Sequence, residues 1–82
     1  MVILPVDPEI LKYVRAHGLE KKFLKQVGLF SQDPYHPSLK FELLEPRHLR
    51  IYSFRIDRKY RAIFIFRDRD TIEIIDANNH YQ

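Results

Sequence analysis

Residues 50–66 read RIYSFRIDRKYRAIFIF, and how this stretch is divided decides the fold. Tyr52, Phe54 and Ile56 alternate with Ile51, Ser53 and Arg55, the period-two pattern of a strand with two different faces. After Asp57-Arg58-Lys59 the alternation resumes, with Tyr60, Ala62, Phe64 and Phe66 on one side and Arg61, Ile63 and Ile65 on the other. Two such runs joined by three polar residues predict an antiparallel hairpin. A three-residue loop sets residue 55 opposite 61 and residue 54 opposite 62; a two-residue loop would separate them. In the first register Arg55 and Arg61 stand side by side on one face, and Phe54, Ala62 and Phe64 share the other.

The flanking sequence extends the pattern. TIEIIDA (71–77) predicts a last strand, with Ile72 and Ile74 inward, and the short RDRD connection pairs it antiparallel with its predecessor. Upstream, LKFELLE (39–45) alternates Leu39, Phe41 and Leu43 with Lys40 and Glu42, which predicts a half-buried strand. MVILPV reads as a short first strand at a sheet edge, because Pro5 cannot donate to a ladder. Between these lie two helices. Asp7, Pro8 and Glu9 have the grammar of a helix start, Ile10, Leu11 and Val14 follow at helical spacing, and Gly18 stops the first helix. In the second, Leu19, Phe23, Val27 and Phe30 form one face, Leu24 widens it, and Pro34 and Pro37 end it. The predicted fold is α+β, an N-terminal strand and a helical hairpin on one face of a four- to five-stranded antiparallel sheet, with the other face open.

The chain has 82 residues, room for one domain spanning 1–82 and one modest core. A composition of 45% hydrophobic residues with only two glycines is that of a folded globule. With no cysteine, disulfides and thiolate metal sites are excluded, in keeping with a cytoplasmic setting. No apolar run approaches the roughly 20 residues of a membrane helix, so no membrane association is expected. The net charge is +3, but Arg47, Arg50, Arg55, Arg58, Lys59, Arg61, Arg67 and Arg69 crowd one segment against Asp57, Asp68 and Asp70. Such a cluster favours an anionic partner, nucleic acid or an acidic protein; the alternative is a solvated charged surface.

The side chains available for chemistry are cations, imidazoles, carboxylates and phenols. Like charges directly opposite on adjacent strands are unfavourable unless an anion sits between them or the side chains diverge into water, and both readings apply to Arg55 and Arg61. His80 suits proton transfer near neutral pH and Tyr81 offers a proton and a stacking surface, or the pair is a frayed tail. His36 and His48 lie in loops, and the four histidines lack metal-ligand spacing, so neither a metal nor a small-molecule cofactor is expected. There is no phosphate-binding glycine loop and no serine or cysteine nucleophile constellation. This inventory suits RNA phosphodiester cleavage, in which the 2′-hydroxyl is the nucleophile and the protein moves protons and stabilises charge.

HPSLKFELLEP, YSFRIDRKYRAIFIF, TIEIIDA and the closing HY together resemble the RelE/ParE toxin superfamily of type II toxin–antitoxin systems, nearest its RelE and YoeB/Txe-like ribonuclease branch. The specific likeness runs from about His36 to Tyr81; the N-terminal half matches only in its strand and helical hairpin. The resemblance implies an mRNA interferase that enters the ribosomal A site, contacts mRNA and ribosomal RNA there, and is held inactive by a cognate acidic antitoxin. Arg61 falls on the family's catalytic arginine and Arg55 on a recurrent basic position. His80 and Tyr81 fall on the closing His-Tyr of the YoeB-like branch, implied in proton transfer and in base stacking or acid catalysis. The family's glutamate base belongs where this chain has His36-Pro37-Ser38, so the base candidates are His36, Glu42, Glu45 or His80 alone. Lys40, Arg47, Arg50 and Arg58 are the expected RNA-phosphate contacts. Two alternatives share the fold: a ParE-like gyrase inhibitor without nuclease activity, and an inactive partner-binding module.

Overall fold

In the computed structural model, which describes residues 1–79, the order is β1 (Val2–Ile3), α1 (Pro8–Ala16), α2 (Glu20–Gln32), β2 (Glu42–Leu43), β3 (Tyr52–Arg55), β4 (Arg61–Asp68) and β5 (Thr71–Asn78). Short 3-10 turns at Pro37–Leu39 and Arg47–Leu49 flank β2. The strands form one sheet in the order β1-β5-β4-β3-β2. The predicted α+β class holds, with one difference in the sheet. β1 pairs parallel with β5, Val2 beside Thr71, so the sheet is mixed rather than wholly antiparallel. A tight turn enforces antiparallel pairing, and β1 is separated from β5 by almost the whole chain, so no turn sets its direction.

Local rules account for the helices. The Asp7 carboxylate accepts from the Glu9 N–H at 2.7 Å and Pro8 occupies the first turn, where its missing donor costs nothing. At the other end Gly18 takes φ +67°, its N–H bonds the Arg15 carbonyl, and the Leu19 N–H bonds the Val14 carbonyl. This is a Schellman closure, completed by burial of both Val14 and Leu19. α2 then buries Phe23 and Phe30 as its spacing requires, but Leu24 is 57% exposed and does not widen the face as expected. The buried position beside the stripe belongs instead to Gln26, whose amide N–H₂ donates to the Arg55 carbonyl at 2.8 Å and the Ser38 carbonyl at 3.4 Å. A glutamine is tolerated there because both bonds replace the water it loses.

The hairpin register follows the three-residue loop. Tyr52 pairs with Phe64, Phe54 with Ala62 and Arg55 with Arg61, and the Ile56 N–H bonds the Tyr60 carbonyl across Asp57-Arg58-Lys59. Asp57 closes this loop by accepting the Lys59 and Tyr60 N–H groups at 2.8 and 2.9 Å. The face that meets the helices carries the core, in which Phe30 contacts the rings of Phe41, Phe54 and Phe64 at centroid distances of 5.0–6.1 Å. In β5 a register shift opposite Ile63/Phe64 keeps Ile72, Ile74 and Ala77 buried while Ile75 is exposed.

The predicted strand 39–45 is mostly irregular. Only Glu42–Leu43 pair with β3, and Lys40 turns into the left-handed region at φ 46°. The alternation matches the burial of Leu39 and the partial burial of Phe41, but the backbone groups there are used otherwise. The face away from the helices is also less open than expected: Ser53 is fully buried and Ile63 nearly so.

Candidate functional site

Arg61, first residue of β4, explains that burial. Its side chain lies back across the sheet, with Nε donating to Ser53 Oγ at 2.7 Å and Nη2 donating to the Lys40 carbonyl. Glu42 Oε1 approaches Nη2 at 3.4 Å. The residue is 9% exposed, an unusual state for an arginine without a bidentate carboxylate. Burial lowers its pKa from the ordinary arginine value; Glu42 opposes the fall and Arg55 adds to it. The group remains a cation at any physiological pH, held in one orientation and incompletely neutralised. Neither sequence-based reading of the pair, an anion bridging upright arginines or divergence into water, foresaw the bond to Lys40. That bond spans 21 residues and depends on a left-handed turn at a lysine, which nothing in the local pattern announces.

Arg55 stands cross-strand from Arg61 and is half-buried. Its backbone is fixed from beneath by Gln26, a contact that the sequence reading missed because an amide at a helix position next to apolar residues has no distinctive spacing. β5 ends on the same row, with Asn78 opposite Arg61 and its Nδ2 donating to Asp76 Oδ2 at 2.8 Å. His80 and Tyr81, the other predicted catalytic residues, lie outside the described residues.

Of the base candidates among the described residues, Glu42 is the one in contact with Arg61, and its side chain is about half exposed. The His36 ring nitrogen Nδ1 accepts the Ser38 N–H at 3.1 Å and so caps the Pro37–Leu39 turn. Glu45 pairs with Arg47 at 3.4 Å in a highly exposed contact. Among the described residues no contact joins His36 or Glu45 to Arg61. The predicted RNA-contact residues scatter: Lys40 contributes its carbonyl to the site, and Arg47 lies on the second 3-10 turn. Arg58 lies in the β3–β4 loop, while Arg50 lines a cavity of about 690 Å³ at the opposite end of the sheet with Tyr35, Tyr52, Phe66 and Arg69.

A third feature lies at the Arg61 end on the helical side. Tyr13 of α1, His17 at the C-terminal cap of that helix and Tyr60 of the hairpin form a ring cluster with centroids 4.1–6.3 Å apart. Burial, then Tyr60 and Asp76, raise the Tyr13 pKa above its ordinary value. These three rings were read only as part of a helix and a strand.

The site is thus a fixed, partly desolvated arginine with a second arginine beside it and a carboxylate at its edge. That arrangement can bind an anion and stabilise charge that builds on it. Solved structures with the same architecture give this a setting. A YoeB/ParE toxin from Agrobacterium tumefaciens superposes with a TM-score of 0.69 over 98% of this chain and 96% of its own, at 17% identity. The YoeB-YefM complex from Staphylococcus aureus gives 0.69 over 99% and 98%, at 22% identity. The YoeB dimer from the same organism gives 0.62 over 98% and 94%, at 26% identity. No family model matches the chain, and no curated protein matches it. The fold is that of the RelE/ParE toxin superfamily. Of these solved structures, one is a YoeB/ParE toxin and two contain YoeB.

Proposed function

We propose that this chain is the toxin of a toxin–antitoxin pair and a ribosome-dependent mRNA endoribonuclease. The observation that carries the proposal is Arg61, held by Ser53, the Lys40 carbonyl and Glu42 beside Arg55. An immobilised cation adjacent to a second one suits a phosphodiester whose non-bridging oxygens gain charge as it is attacked. In the proposed reaction Glu42 takes the proton of the RNA 2′-hydroxyl. The 2′-oxygen bonds to the adjacent phosphorus, and the bond from phosphorus to the 5′-oxygen breaks. His80 donates a proton to that leaving oxygen, so the products are a 2′,3′-cyclic phosphate and a 5′-hydroxyl. Arg61 and Arg55 stabilise the pentacovalent phosphorane, and Tyr81 stacks on a splayed base. The proton route and the aromatic contact rest on the likeness of the closing His-Tyr to the YoeB-like branch.

The partners proposed are mRNA and ribosomal RNA in the A site and a cognate acidic antitoxin. The antitoxin is supported by the S. aureus neighbour, a YoeB-YefM complex, and by the unneutralised cations at the Arg61 end of this chain. Inducible expression tests the reading. Growth should stop with the wild type and continue with folded Arg61→Ala or His80→Ala, and mapped mRNA ends should appear only on translated message. Arrest by both variants without new RNA ends would instead support a ParE-like gyrase inhibitor, and no arrest by any form an inactive partner-binding module.

A further inference from the structure

Around the end of the sheet from Arg61, between α2 and the β3–β4 hairpin, lies a cleft of about 300 Å³ lined by Lys22, Lys25, Gln26, Arg55, Asp57 and Arg58, among others. Lys22 and Lys25 are three residues apart on α2, and Gln26 follows Lys22 by four, so one helical face presents all three. Four cations meet one carboxylate here. Asp57 is already committed, with Oδ1 taking two backbone N–H groups and Oδ2 lying 3.7 Å from Lys22 Nζ. Among the described residues no carboxylate pairs with Lys25, Arg55 or Arg58. Arg55 belongs to both places, since it is cross-strand from Arg61 and also lines the cleft.

We propose that this cleft is a second phosphate subsite, which holds the backbone of the same single-stranded RNA one or more nucleotides from the phosphate at Arg61. The inference rests on the ribonuclease reading above and adds Lys22 and Lys25 to the RNA-contacting residues. The lining favours a nucleic-acid backbone over an acidic peptide. Among the described residues its lining holds no aromatic ring and one large apolar residue, Ile56, which is buried, so these residues form no anchor pocket of the kind on which peptide affinity depends. Phosphate needs only cations and donors. Gln26 keeps the cleft in register with the site, because its amide binds the carbonyl of the arginine that the two share. Lys22 is poised between Asp57 and the ligand, and Lys25 and Arg58 are exposed and uncommitted.

The test uses the full chain without antitoxin and a mixed-sequence oligoribonucleotide that is 2′-O-methylated throughout and so cannot be cleaved, with binding read by fluorescence anisotropy across a salt series. For Lys25→Ala/Arg58→Ala, both exposed and outside the Arg61 site, the affinity should fall about tenfold or more at low salt. The slope of log K against log salt should shrink by about 1.4, two single-strand phosphate contacts. Lys25→Arg should keep both values, and thermal melting should show all variants folded. If Arg61→Ala weakens binding while the double variant leaves affinity and slope unchanged, the subsite is overturned and the ribonuclease reading stands. A wild type that does not bind the oligonucleotide overturns the subsite as well, while the ribosome-dependent ribonuclease reading is decided separately by the mapped ends of translated message. If the double variant loses binding to polyglutamate but not to RNA, the occupant is an acidic protein segment and the subsite is likewise overturned.

Discussion

The two ends of the sheet make opposite use of arginine. At one end Arg61 is fixed by three polar partners and sits beside Arg55, with α2 lysines close by. At the other, Arg50 and Arg69 rim a larger cavity whose walls are Tyr35, Phe41, Tyr52 and Phe66. Volume alone would choose the second as the site. Chemistry chooses the first, since an arginine positioned by other groups loses little freedom on meeting an anion, whereas one on a rim must be ordered by its ligand. Aromatic walls explain themselves as the edge of the core: Tyr52 and Phe66 pack on Phe64, and Phe41 on Phe30. The lesson is that a pocket is weaker evidence for function than a polar side chain whose burial has been arranged.

The largest expected effect tests what the core contributes to both ends. Phe64→Ala removes a fully buried ring that touches Phe30, Phe54, Tyr52 and Phe66, and should cost about 4 kcal/mol of stability in a denaturant titration. A loss under about 1 kcal/mol would mean that the two ends are not built on one core. Next, Arg61→Ala should lower the rate of RNA cleavage at least about a hundredfold, roughly 3 kcal/mol of barrier, with the fold retained. Tyr52→Ala at the other end should lower the melting temperature and leave cleavage per folded molecule intact. Equal losses of activity from both variants would erase the contrast between the ends.

Smaller effects sharpen it. Gln26→Leu removes the donor from the partly buried carbonyls of Arg55 and Ser38 and should cost about 1 kcal/mol, with activity falling further than stability explains because Arg55 is displaced. Asp57 offers a pH-dependent measure of the hairpin. Burial by itself would raise its pKa, but the Lys59 and Tyr60 N–H groups and Lys22 outweigh this and hold it below its ordinary 3.8. Its contribution is therefore complete above the unfolded pKa and is lost as pH falls through the lower folded one, so melting curves of the wild type and Asp57→Asn should converge below about pH 4. A gap that persists undiminished at lower pH would contradict the assignment. Lys40→Gly should change least. It relieves the left-handed backbone, a gain of about 1 kcal/mol, and keeps the carbonyl that receives Arg61. Activity that survives this change would show that Lys40 serves through its backbone rather than through its charge.

The hairpin at the centre of the fold was legible because its determinants are adjacent in sequence. Alternation assigns the faces, and the length of Asp57-Arg58-Lys59 sets Arg55 opposite Arg61. Asp7 and Gly18 bound the first helix for equally local reasons. Other readings failed where the deciding partner was remote. Leu24 was assigned to the core by spacing, yet Gln26 took the place beside the stripe because two carbonyls from distant segments were there to receive it. The predicted strand 39–45 shrank to two residues when Lys40 turned left-handed.

The sequence by itself determined the α+β class and, given a three-residue loop, the hairpin register that pairs the two arginines, since helix caps, turn length and hydrophobic period act within a few residues. Tertiary structure alone decided that Arg61 would be buried and aimed while Arg55 is not, that Glu42 rather than His36 or Glu45 would touch it, and that α2 would bring lysines to the same end of the sheet. Those outcomes depend on polar groups 8 to 35 positions apart in the chain meeting in a partly desolvated place. There their bonds are strong and an unmade bond is costly, a condition that no local pattern encodes.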